Sequence, residues 1–125
     1  MALHTQLPIY KLAYDLLSLA ADVTRNIPRD LKVGLGAKVR DECIEILVLI
    51  ARANAAENKA PHISEMLERL QVVEFLLRLF KDKRFISLKQ YAAAIELTSS
   101  IGKQGNGWKN ASHHRPLHAR HGAHA

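Results

Sequence analysis

The sequence predicts an all-α protein built as an up-down-up-down four-helix bundle. Three observations lead there. Apolar residues recur at spacings of three and four in four separate segments. No segment alternates apolar and polar residues as a half-buried strand does. The connections between segments are short, which favours antiparallel neighbours.

The first helix is expected over Leu7 to Asn26. Ile9, Leu12, Leu16, Leu19 and Val23 form one stripe, and Tyr10, Ala13, Tyr14, Leu17 and Ala20 form another. Pro8 suits a first turn, and Ile27-Pro28 ends the segment because a residue before proline avoids the helical region. The second helix is expected from Gly36 to about Asn58, on a stripe of Val39, Cys43, Ile46, Ile50 and Ala53, with Leu47 at its edge. The third runs from about His62 to Lys83, opened by Pro61 or Ser64. Its core face is Ile63, Met66, Leu67, Leu70, Val73, Leu77 and Phe80. The fourth runs from Ser87 to about Lys103, with Ser87 and Gln90 as a capping box, and Gly102 or Gly105 ends it. Tyr91, Ile95, Thr98 and Ile101 line its inner side. The bundle thus occupies residues 1–110. Residues 111–125, rich in His, Gly, Ala and Arg, are expected to form a disordered tail.

A chain of 125 residues fits one compact domain. No apolar run approaches the roughly 20 residues of a membrane helix, and no secretory signal is visible at the N-terminus. Cys43 is the only cysteine and sits in an apolar stripe. A reduced, cytoplasmic setting is therefore expected.

Two of the helices are apolar over more surface than a monomeric bundle covers. At roughly 100° per residue, Leu70, Val73, Leu77 and Phe80 fall on one side of the third helix and Val72, Phe75, Leu76 and Leu79 on another. Together they span an arc on the order of 220°, about twice what a simple bundle needs. In the second helix Ile44, Val48 and Ala51 add a stripe beside the one containing Cys43. Scattered surface leucines are the plain explanation. A subunit interface or partner groove explains contiguity better, with Val72, Phe75, Leu76, Leu79, Ile44 and Val48 as its residues.

The formal charge is +6 with histidines neutral, which points to a polyanion or an acidic protein surface as partner. In an up-down-up-down bundle the first and third connections share one end. Arg25, Arg29, Lys32, Lys38, Arg40, Arg78, Lys81, Lys83, Arg84 and Lys89 gather there, against Asp22, Asp30, Asp41, Glu42 and Asp82. Such a pole can follow a phosphate backbone; a solvated rim is the alternative. Phe85 is the one aromatic expected to be exposed there, so backbone or shape recognition of RNA, with DNA as a second ligand of the same kind, fits better than base stacking.

The chemical motifs are weak. GLGAKVR, residues 34–40, has neither the spacing nor the preceding strand of a nucleotide-binding loop. It is expected to be a hinge, with Gly34 and Gly36 at positive φ and Lys38 and Arg40 beside a helix start. His113, His114, His118, His121 and His124 lack the fixed geometry of a structural metal site, so no metal and no cofactor is expected. Ser64, His62, Glu65 and Glu68 look like ordinary helix-start residues, and Asn54 sits on or beside the core stripe. Catalysis is not expected.

With these elements in order, the chain resembles the accessory variability determinants of diversity-generating retroelements, within a wider group of four-helix-bundle proteins that includes those of 23S rRNA intervening sequences. The stretches that carry the resemblance are PIYKLAYDLL, RNIPRDLKVGLGAKVRDE, ILVLIARANAA, LERLQVVEFLLRLFKDKRFISLKQYAAAIEL and IGKQGNGWKN, from about Pro8 to Asn110. GNGW and the His-rich tail depart from the pattern. The resemblance implies a ring-like homo-oligomer, a pentameric barrel with a positive surface. It also implies an accessory role: binding a reverse transcriptase and its template RNA in support of mutagenic cDNA synthesis. A protein-interaction bundle of the intervening-sequence type, without a direct nucleic-acid role, is the alternative.

Overall fold

The computed structural model describes the backbone of residues 3–124 and the side chains of residues 3–112. It is all-helical, with no strand among the described residues. The four long helices are α1 (Pro8–Val23), α3 (Ala37–Ala55), α4 (Ala60–Asp82) and α5 (Leu88–His124); a single turn, α2 (Arg29–Leu31), lies between the first two. Each long helix packs on its chain neighbours, and α1 closes the bundle against α5.

The core follows the expected stripes of α3 and α4, and in α1 it draws on both stripes, with Leu12 and Leu19 half-buried. Ile9, Ala13, Leu16, Ala20 and Val23 of α1 meet Val39, Cys43, Ile46, Ile50 and Ala53 of α3, and α4 adds Ile63, Met66, Leu70, Val73, Leu77 and Phe80. All are buried. Tyr14 departs from expectation and is exposed, because it lies on the outer flank of α1. In α5 the buried positions are Ala94, Thr98, Ile101 and Gly105, while Tyr91 and Ile95 are half-buried.

The helix boundaries have local causes. Ile27 is extended (ψ 145°), as its proline neighbour demands. The Ser87–Gln90 capping box forms: Gln90 N–H donates to Ser87 Oγ at 3.0 Å, and Ser87 N–H to Gln90 Oε1 at 2.9 Å. No glycine follows α3. Its last carbonyls are instead met by a cation, Lys59 Nζ donating to the oxygens of Ala53, Asn54 and Ala56 at 2.9–3.0 Å.

Two expectations need correction. Gly34 and Gly36 are not a positive-φ hinge; no glycine among the described residues has positive φ. Lys32–Gly36 forms a π turn that runs straight into α3, with Gly36 at φ −63°, ψ −46°. Nor do Gly102 and Gly105 end the last helix, which continues past both. Gly105 is instead a packing residue: a Cβ there would lie 2.9 Å from Met66 Cε and 3.0 Å from Leu67 Cδ2. The expected tail at 111–125 lies, from residue 113 onward, outside the described side chains.

Candidate nucleic-acid interface

The first connection (24–36) and the α4–α5 connection (83–87) lie at one end of the bundle, so all ten cations proposed for the pole belong to that end or the helical turns beside it. The structure divides them. Arg25 Nη2 pairs with Asp22 Oδ1 at 2.9 Å, and Arg78 Nε stands 3.9 Å from Asp82. Lys81 Nζ pairs with Asp82 at 3.3 Å and lies 5.0 Å from the Tyr91 ring centroid. Arg40 is half-buried and donates from Nη1 to Thr24 Oγ1 at 3.0 Å, tying the start of α3 to the end of α1. It is a structural tie more than a free binding group. Lys38 is drawn toward Glu42 at 3.5 Å.

Arg29, Lys32, Lys83, Arg84 and Lys89 have no carboxylate partner among the described residues. Lys32 is half-buried and the other four are exposed. Exposed ion pairs contribute little and exchange readily, so Arg25 and Arg78 remain able to turn toward a phosphate. The arrangement can neutralise an extended anion with five unpaired cations and two loosely held ones. Phe85 is half-buried rather than exposed, its ring 6.4 Å from that of Phe80, which leaves no open stacking platform at this corner.

Sequence reasoning named two residues here without finding their local roles. Glu42 counts in sequence only as one of the acids at the pole, yet it is only 3% exposed. Arg69 Nη1 donates to both its carboxylate oxygens at 3.1 Å, and Arg69 also reaches Glu65 at 3.6 Å. The hydrogen bond and charge of Glu42 hold the Arg69 guanidinium above its ordinary pKa. A carboxylate between Val39 and Ile46 on the apolar arc was the available signal. Arg84 is the second: its φ is +62°, the left-handed region that glycine normally fills. It closes α4 as a Schellman cap, with Arg84 N–H donating to Lys81 O at 3.0 Å and Phe85 N–H to Phe80 O at 2.8 Å.

The outer faces of α3 and α4 stay apolar. Phe75 is 69% exposed, and Ile44, Val48 and Leu79 are exposed as well; Val72 and Leu76 are half-buried. Of the helix-start residues His62, Ser64, Glu65 and Glu68, Glu65 is engaged by Arg69 at 3.6 Å. Among the described residues no group of three or more His, Cys, Asp or Glu is arranged to hold a metal ion. No helix there is long and apolar enough to cross a membrane.

The bAvd-like family model matches residues 7–112, which is all four helices up to the His-rich segment. The chain belongs to the bAvd-like family. Its members are accessory variability determinants. No curated protein matches this member at a significant level. The matched span includes both connections of the basic pole and the apolar faces of α3 and α4 in this bAvd-like chain.

Proposed function

We propose that this chain is a non-catalytic accessory protein of a diversity-generating retroelement. It acts in the cytoplasm, without cofactor or metal. Its basic pole holds template RNA, or the cDNA copied from it, by backbone contact, and it binds the element's reverse transcriptase, which supplies the chemistry. The observation that carries the reading is the set of five unpaired cations, Arg29, Lys32, Lys83, Arg84 and Lys89, at one end of a bAvd-like bundle. A ring-like homo-oligomer, a pentamer, accounts for the apolar face of Val72, Phe75, Leu76 and Leu79 on α4 and for Ile44 and Val48 on the back of α3. Two different faces on one subunit suit a heterologous, ring-closing contact. Those same faces also favour the second reading, a protein-interaction bundle of the rRNA intervening-sequence type.

The test is binding of the full chain to a structured RNA across a salt series. Each phosphate contact adds roughly 0.7–0.9 to the slope of log affinity against log salt. Changing Arg29, Lys32, Lys83 and Lys89 together to Glu is expected to lower that slope by about 3. An unchanged slope, or no binding even at low salt, would remove RNA from the pole and leave the protein-interaction reading.

A further inference from the structure

At the end of α4 the chain makes a recess of about 750 Å³, lined by Lys81, Asp82, Arg84, Phe85, Ile86 and Leu88 among others. Its chemistry is mixed in a specific way. Ile86 is buried, Phe85 is half-buried, and Leu88 is 75% exposed although it opens a well-capped helix. Asp82, the one carboxylate on the lining, is held by Lys81 at 3.3 Å. Among the described residues Arg84 has no carboxylate partner, nor do its neighbours Lys83 and Lys89.

A nucleic-acid backbone makes use of the cations and gains nothing from Leu88 or the apolar floor. Base stacking is poorly served, since Phe85 is committed to Phe80. A protein segment satisfies both halves. An apolar side chain entering the recess removes Leu88 and Phe85 surface from water, and carboxylates on either side of it meet Arg84, Lys83 and Lys89. At the α5 N-terminus the Ser87–Gln90 box satisfies the N–H groups of Ser87 and Gln90.

The backbone adds a separate argument. The C′ position of a Schellman cap is glycine's place by default. Here it holds Arg84 at φ +62°. Residues strained in this way cluster at ligand clamps and other functional sites. We propose that the α4–α5 corner of the pole is a docking site for an acidic protein segment bearing an apolar anchor, with Leu88 and Phe85 receiving the anchor and Arg84 pairing with a flanking carboxylate. This goes beyond RNA binding at the pole and does not depend on it.

The test uses the full chain as bait for a displayed library of random ~12-residue peptides, with prior removal of binders to a variant carrying both Arg84→Gly and Leu88→Ser. Enriched peptides are expected to carry Leu, Phe or Trp flanked by Asp or Glu. Arg84→Gly and Leu88→Ser should each weaken a selected peptide by about tenfold or more. Arg84→Gly should do so while raising the melting temperature, so misfolding is not the cause. Enrichment of peptides without that pattern, no enrichment over the double variant, or unchanged affinity in Leu88→Ser would overturn the proposal. So would a 20-nucleotide oligo(U) RNA whose affinity falls as steeply as the peptide's in Leu88→Ser, because the recess would then belong to RNA.

Discussion

Gly105 and Gly107 make opposite demands on α5, and two single substitutions separate them. Both lie in the stretch GKQGNGW, and alanine in place of glycine gains up to about 1 kcal/mol in a helix interior. Around Gly107 nothing lies within 4 Å of an added Cβ. Gly107→Ala therefore keeps the whole gain, and its melting temperature is expected to rise by about 3–6 °C in a chain of this size. At Gly105 the added Cβ stands 2.9 Å from Met66 Cε and 3.0 Å from Leu67 Cδ2, where carbon contacts prefer roughly 3.5–4.0 Å. Both atoms end flexible side chains, so the response is a rotamer shift costing about 0.5–1.5 kcal/mol in each residue displaced. That offsets or exceeds the helical gain, and Gly105→Ala is expected to melt at or slightly below wild type. The assay is thermal unfolding by circular dichroism at 222 nm, at one protein concentration because assembly shifts the midpoint. Equal gains in both variants would show that α5 is not seated on Met66 and Leu67. No gain in Gly107→Ala would show that the helix ends at the glycines, as their positions in the sequence alone suggest.

Three further outcomes follow from the geometry. Burial, with a smaller contribution from the Glu42 charge, pushes the Cys43 thiol from 9.0 up to about 12. A thiol reagent at pH 8 is expected to label Cys43 only as fast as the protein unfolds; rapid labelling of native protein would contradict its placement. A raised folded pKa means that the native state holds the proton longer than the unfolded state, so the stability advantage of wild type over Cys43→Ala is full below pH 9 and shrinks between pH 9 and about 12. On the outer face of α4, Phe75→Lys with Leu79→Lys is expected to dissociate the proposed assembly to monomer in sedimentation while helicity is kept. An unchanged mass would move the subunit contact elsewhere.

How much of this was legible in advance differs from helix to helix. The core positions chosen for the second and third predicted helices are buried nearly to the last residue, because each keeps one stripe at spacings of three and four along its whole length, even though a second apolar stripe lies beside it. The last helix was harder. Its packing residues include Ala94 and Gly105, and small residues announce no burial in a hydropathy pattern. The pole was half legible. The chain order of cations is in the sequence, but Arg40 turning to Thr24 and Lys38 to Glu42 are contacts that only the packed helices create.

By itself the sequence determined four helices, the inward stripes of the second and third, the order of their connections, and which connections carry the cations. These depend on neighbours three and four residues apart, or on which connection follows which, and such relations are printed along the chain. Only the tertiary structure decided that Glu42 is buried against Arg69, 27 residues away. It also decided that Gly105 is a seat for Met66, and that Arg84 occupies a glycine conformation beside an exposed Leu88. Each of these arises where two helices meet or where one must stop so that the next can dock. There the energy belongs to the pair of elements, and neither segment carries it alone.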